Sequence, residues 1–193
     1  DIQVIRVDTL AEPPHPPGVG YDQAWQRTVE MFRYYAETAQ RHEIVVAWEF
    51  EPGFMFNKPS EILGLVKEVD HPNFTVMYDS CHAHMCAAIG ARQEPPQEIM
   101  PGGAVQLGQQ LHGHIGFVHL IDSDNTLHDG ITSTHAPFGA GVLDFPKLVQ
   151  TMLEAGYQNP WWTIDLCFWP GAWQELEPSL KYVQNLLEDF DLR

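Results

Sequence analysis

The chain has 193 residues, 44% of them hydrophobic, with 26 Asp plus Glu against 10 Lys plus Arg and a formal net charge of −16. That length buries one good core and points to one domain over 1–193. The charge repels phosphate backbones and anionic membranes, and no Lys/Arg cluster offers a local exception, so neither nucleic acid nor membrane is an expected partner. There is no run of 18 apolar residues and no basic-then-apolar leader, and the three cysteines, Cys81, Cys86 and Cys167, read as reduced thiols of a cytoplasmic protein.

Short β-rich runs alternate with amphipathic stretches, the pattern of repeated βα units around a parallel sheet. The chain opens inside an apolar strand, 2–8, so a further segment is expected to precede it in the parent protein. The proline-rich loop 12–18 follows, then a helix over 21–42 with Tyr21, Trp25, Val29, Phe32, Ala36 and Ala39 at spacings of three and four. After strand 44–49, Pro59-Ser60-Glu61 starts a helix with Ser60 as N-cap, ending before His71-Pro72. Strand 74–79 leads into 80–103, where Glu94-Pro95-Pro96 and Pro101-Gly102-Gly103 imply an extended loop before a helix ending near His112. Strand 115–121 is followed by a polar loop through Gly141. Asp144-Phe145-Pro146 then opens a helix closed by Gly156, and strand 161–166 and a helix over 179–189 complete the chain. This makes five βα units, whereas a closed (β/α)8 barrel typically needs about 250 residues, so the chain is short by about three units.

Four of the strands end in a metal-binding side chain: Val45-Val46-Ala47-Trp48-Glu49, Val76-Met77-Tyr78-Asp79, Gly116-Phe117-Val118-His119 and Trp161-Trp162-Thr163-Ile164-Asp165. Parallel α/β barrels present functional groups at the C-terminal ends of their strands. Each of these residues alone reads as a solvated carboxylate or a hydrogen-bonded core histidine. Together Glu49, Asp79, His119 and Asp165 form a hard-to-borderline ligand set for one divalent ion, Mn, Mg, Co or Zn.

Other groups are candidates for the surrounding pocket. Glu51 points to the same side of its strand as Glu49 and reads as a substrate contact, and His82, His84 and His135 read as loop residues that donate to substrate hydroxyls or add ligands. Arg6, at the end of the first strand, reads either as an anchor for a phosphate or carboxylate or as a salt bridge. Pro137-Phe138-Gly139-Ala140-Gly141 would bring backbone amides to an anionic or hydroxylated ligand. The aromatic loop 167–173 reads equally as a sugar-stacking wall and as packing.

These landmarks, a strand ending in Glu49, Asp79-x-x-His82, His119-Leu120-x-Asp122, the His-x-Pro-Phe-Gly-x-Gly turn and a last strand ending in an acid, resemble those of the xylose-isomerase-like TIM barrels. That family contains sugar and sugar-phosphate isomerases and epimerases as well as apurinic endonucleases. The resemblance implies an α/β TIM barrel of which this chain covers about strands 4 to 8. It implies one divalent ion on Glu49, Asp79, His119 and Asp165, with Glu49 and Asp165 as the proton-transferring acids and His82 and His135 as substrate contacts. The chain departs from the family at Asp165, where Glu is usual, and the shorter arm weakens a two-base reaction.

The expected activity is a metal-dependent sugar or sugar-phosphate isomerase/epimerase that works through an enediolate on a small-molecule substrate. A lyase or dehydratase acting on a polyol or related acid is the alternative. An endonuclease is disfavoured by the charge and by Ser133, which stands where those enzymes carry a ligand Asp, and a non-catalytic barrel is a further possibility. An open parallel edge calls for cover by association, so a homo-oligomer is expected.

Overall fold

The computed structural model describes residues 2–192. Five parallel strands, β1 (Val4–Val7), β2 (Val45–Glu49), β3 (Phe74–Asp79), β4 (Ile115–Leu120) and β7 (Trp162–Ile164), lie side by side in chain order. Helices α1 (Tyr21–Gln40), α2 (Pro59–Val69), α3 (Ser80–His84), α4 (Gly103–Gln110), α5 (Phe145–Glu154) and α6 (Ala172–Glu188) connect or follow them. A two-stranded antiparallel hairpin, β5 (Asp122–His128) and β6 (Thr132–Ala136), is inserted between β4 and α5. The result is a curled open sheet covered by helices, five consecutive βα units of a TIM barrel.

Strand alternation divides the side chains into two sets. Val46, Trp48, Phe74, Val76, Tyr78, Val118 and Leu120 pack in one apolar core with Val29 and Phe32 of α1, Ile62 and Leu65 of α2, Leu107 of α4 and Val149 and Met152 of α5. The intervening residues Arg6, Ala47, Glu49, Met77, Asp79, His119 and Thr163 share the other face, and register pairs Asp79 with His119 and His119 with Thr163. The helix-covered face therefore carries the apolar burial and leaves its opposite free for polar groups.

Several element boundaries differ from the sequence reading. Lys58, not Ser60, is the N-cap of α2: Pro59 takes the first helical position, where its missing N–H costs nothing, and the Glu61 carboxylate accepts from the Lys58 N–H at 3.0 Å. Ser60 instead donates its N–H and hydroxyl to Glu98. The segment after β3 is no simple loop, because it enters α3 at once and runs on through a π-helical turn, Met85–Ile89, to Gly90. Helix α6 begins at Ala172 rather than near Ser179 and carries Pro178 in its interior. The expected polar loop before Gly141 holds the β5–β6 hairpin.

The Gly139-Ala140-Gly141 turn also differs in its use. Its amides are taken by buried Asp122, whose Oδ2 accepts from Gly139 N and Gly141 N at 3.0 Å, while Oδ1 accepts from Leu143 N at 3.0 Å and Ser123 N at 2.9 Å. No ligand is needed to satisfy them. A Cβ at Gly141 would lie 2.3 Å from both Asp122 Oδ1 and the Ser123 carbonyl, so only glycine fits that approach. These bonds fasten the segment after β6 to the start of β5, two residues beyond the end of β4.

Both sheet edges pair on one side only among the described residues. Beside β1 a groove of about 510 Å3 runs between the strand and α1, lined by Ile5, Val7, Leu10, Tyr34, Tyr35 and Ile44. No helix is long and apolar enough to cross a membrane.

Asp122→Asn keeps the shape of the side chain but turns one acceptor oxygen into a donor facing backbone N–H groups. Hydrogen bonds to a charged group contribute about 1.5–3 kcal/mol each, so an overall loss of about 2–3 kcal/mol is expected in urea unfolding. A change below about 0.5 kcal/mol would contradict the bonding described here.

Candidate functional site

Glu49, Asp79, His119 and Asp165 stand at or just beyond the C-terminal ends of β2, β3, β4 and β7 and point to the same face. Each offers one ligand atom, and those atoms lie within 4.8 Å of one another. His119 Nδ1 is 3.0 Å from Glu49 Oε1, 3.5 Å from Asp165 Oδ2 and 3.8 Å from Asp79 Oδ2. Asp79, His82 and His135 converge within the same limit on the neighbouring side, where His135 Nε2 lies 3.9 Å from Asp79 Oδ1.

Five buried side-chain atoms among the described residues have no hydrogen-bond partner, and four of them, Glu49 Oε1, Asp79 Oδ2, His119 Nδ1 and His135 Nε2, belong to this cluster. An unpaired buried polar atom is costly, and native proteins avoid it. Here the atoms are close together yet misaligned for bonding to one another, as donor atoms are when they face a common point. Three of them, Glu49, Asp79 and His119, group with Asp165, and that set of three carboxylates and one imidazole suits a divalent cation.

Electrostatics follow from the same proximity. Burial disfavours the charge on His119, but Asp165, Glu49 and Asp79 outweigh it and push its pKa up to about 10. His135 behaves alike: burial opposes and Asp79 and Asp165 prevail, bringing it to about 9. Burial also works against ionised Asp165, yet His119 and His135 hold it well below the usual carboxylate range. Asp79, fully buried, is raised to about 6 chiefly by burial, against the pull of His135. His82 is lowered, by burial first and then by His135, and so is held neutral.

Local structure explains why Asp79 and His82 are three apart. Asp79 is the N-cap of α3, and its Oδ1 accepts from the His82 N–H at 2.8 Å, which leaves Oδ2 for the cluster. His82 and His84 are therefore helical, and His135 lies in strand β6; none is a loop residue. The His82 ring is fixed between Ser133 Oγ, 2.9 Å from Nδ1, and Glu51 Oε2, 3.3 Å from Nε2. His135 Nδ1 faces the Asp165 carbonyl at 3.0 Å. His84 turns away to Asn125 at 2.6 Å and braces the hairpin.

Above the cluster opens a cavity of about 320 Å3 whose walls include Glu51, His82, Thr132, Ser133, Phe54 and Phe168. Arg6 also reaches it, bound to Glu49 Oε2 at 2.6 Å and to Asp8 at 3.1 Å. Of the two readings of Arg6, the geometry supplies the salt bridge. The sequence reading missed Thr132, which donates its hydroxyl to Glu51, and the polar wall made by Ser133. Alternation in Thr132-Ser133-Thr134-His135, which puts Ser133 and His135 on one side, was the available signal.

A family model described as "Xylose isomerase-like TIM barrel" matches residues 2–182. The chain is 26% identical over 139 residues to D-psicose 3-epimerase of Ruminiclostridium cellulolyticum, covering 70% of this chain and 39% of that protein. It is 26% identical over 147 residues to L-ribulose-5-phosphate 3-epimerase UlaE of Escherichia coli, covering 74% and 45%. The chain thus spans less than half the length of these relatives. Among solved structures, the IOLI protein with a zinc atom superposes with a TM-score of 0.68 at 16% identity, covering 97% of this chain and 62% of that one. L-ribulose 3-epimerase gives 0.68 at 14%, with the same coverage. With the model spanning nearly all of the sequence and the sheet folded as that model requires, the chain belongs to the xylose isomerase-like TIM-barrel family.

Proposed function

We propose that this chain carries the catalytic face of a divalent-metal-dependent sugar or sugar-phosphate isomerase/epimerase. The observation that carries the reading is the convergence of Glu49 Oε1, Asp79 Oδ2 and His119 Nδ1, buried and unpaired, beside Asp165. The two epimerase relatives support the reaction class. A divalent ion held by Glu49, Asp79, His119 and Asp165 would polarise adjacent carbonyl and hydroxyl oxygens of the substrate and so acidify the intervening C–H.

The side chains then divide the work. Glu49 is the base that takes the carbon-bound proton, and Arg6, on its other oxygen, fixes the carboxylate's orientation. Arg6 could reach an anionic group on the substrate only by releasing Asp8. His135 supplies an N–H to a substrate oxygen and Glu51 receives a hydroxyl, while His82, held neutral between Ser133 and Glu51, could give its single N–H to the substrate only by releasing Glu51. Asp165 serves chiefly as a ligand, because its arm is one methylene shorter than that of a Glu. A small sugar is the partner, and the open edges of the sheet are covered by association of protomers.

Asp165→Glu should keep the ion and broaden the stereochemical outcome, whereas Asp165→Ala should lose both ion and activity. Solvent-deuterium incorporation into D-psicose or L-ribulose 5-phosphate, with metal content measured alongside, reports both effects. Full occupancy and activity in Asp165→Ala would overturn the four-ligand reading, and product lighter by one water would reassign the enzyme to the lyases.

Asp79→Asn should lower metal affinity by at least about tenfold while the metal-free protein melts as the parent does or higher, since it removes one of several clustered negative charges. Melting curves with and without Mn2+ decide this. Unchanged affinity with a collapsed metal-free fold is the contrary result.

The raised pKa of His119 fixes a pH dependence. Without metal, its pairing with the acids stabilises the fold fully below its ordinary pKa of 6.5, and this is lost as pH rises through about 10. A cation needs the imidazole neutral, so binding expels the proton. Between about pH 6 and 10 the affinity should rise about tenfold per pH unit, and calorimetry in buffers of different ionisation enthalpy should count about one proton released. A pH-independent affinity would exclude His119 from the ligand set.

A further inference from the structure

The cavity above the acid cluster is lined by both kinds of side chain, the polar Glu51, His82 and Ser133 and the apolar Phe54, Ile131 and Phe168. Phe168 stands out among the apolar residues. It belongs to neither of the buried apolar clusters and is 59% exposed. Its backbone φ is +62°, a left-handed conformation that is unfavourable for a bulky side chain and is kept where surrounding contacts impose it. Core packing therefore does not explain its placement.

Its contacts do. The Phe168 ring lies flat on the His128 ring, with centroids 4.6 Å apart and planes 2° from parallel. His128 ends β5, and its Nε2 is 3.4 Å from the Asp129 carboxylate. The hairpin supplies Ile131, Thr132, Ser133 and His135 to the cavity lining, and the segment after β7 supplies Asp165, Cys167 and Phe168. The Phe168–His128 stack joins these two segments.

Resting on the function proposed above, we infer that Phe168, braced by His128, is a specificity residue of the pocket: an aromatic platform for the C–H face of a single sugar ring or chain whose hydroxyls turn to Glu51, His82 and Ser133. A monosaccharide carries both hydroxyls and C–H surface, which matches a cavity lined by polar and aromatic side chains together. At about 320 Å3 the cavity lies at the small end of ligand pockets and holds one such unit. The bracing matters because a free phenylalanine would lose side-chain entropy on stacking, whereas a ring already fixed by its neighbour does not.

The test is calorimetric titration of D-psicose and of L-ribulose into the Mn2+-loaded chain. Phe168→Ala should weaken binding of the better-bound sugar about tenfold at undiminished metal content, the scale of one aromatic contact together with its lost apolar burial. Phe168→Tyr should stay within about threefold of the parent. His128→Ala should weaken binding and His128→Tyr, which preserves the stack, should restore it; rescue of this kind marks His128 as a positioning residue. Parental affinity in Phe168→Ala overturns the inference, as does loss of metal together with sugar, which would make the residue part of the structural frame. If the parent binds neither sugar, the inference and the proposed function fall together. Phe168-dependent binding without exchange of solvent hydrogen into the sugar leaves the platform standing and overturns the reaction alone.

Discussion

The structure turns on holding like charges together out of water. Glu49, Asp79 and Asp165 are brought by three different strands to within 4.8 Å of one another. Two unit charges 4 Å apart repel by about 4 kcal/mol at an effective dielectric of 20, so such a cluster forms only when something offsets it. Several neighbours share that task. His119 sits among the three acids, Arg6 closes the free oxygen of Glu49, and His135 lies between Asp79 and Asp165. The force that keeps the strands in place is elsewhere, in the apolar layer of Trp48, Val76, Tyr78 and Val118 beneath the helices. One face of each strand supplies burial and the other carries chemistry.

Asp79 links local and long-range order. One oxygen caps α3 and so decides where the chain turns after β3, while the other joins the cluster. The cap in turn sets the position of His82, whose ring is held by a hydroxyl from β6 and a carboxylate from the segment after β2. Helix start, ring orientation and cluster charge therefore rest on a single carboxylate. Asp122 plays the matching part for the hairpin. It gathers four backbone N–H groups and ties the segment after β6 to the start of β5.

The two loop systems above the sheet differ in how firmly they are held. The hairpin is braced by Asp122, by the His84–Asn125 bond and by the buried Ser133–His82 pair. The loop after β7 has Phe168 exposed by 59%, with Trp173 of the first turn of α6 exposed by 86%, and meets the hairpin through the Phe168–His128 stack. Asp165 belongs to that loop and is the most accessible of the four clustered side chains, so the cluster is most open on that side. Among the described residues the curved sheet leaves β1 and β7 with one neighbour each, and Arg6 on β1 and Asp165 beyond β7 stand at its two margins.

The sequence by itself determined the parallel αβ order, because a period of two in the strands and of three to four in the helices is a local property of apolar residues. It also determined which four strand ends converge, since a polar residue closing an apolar run must lie at a strand tip. Only the tertiary structure decided what the intervening segments do. The β5–β6 hairpin was hidden because Asp122-Ser123-Asp124-Asn125 carries none of the apolar alternation of a strand, and its pairing with β6 at Asp122 and Ser123 and again at Leu127 and His128 is interrupted by a shift of register. The Gly139 and Gly141 amides read as free for a ligand until a carboxylate 17 to 19 residues earlier was seen to take them. Arg6 read as an anchor or a salt bridge with equal right, and the choice lay with the register that sets it opposite Ala47, two residues before Glu49. In each case the deciding partner is distant in sequence, and no periodicity in the chain records which distant groups the sheet's curvature will bring together.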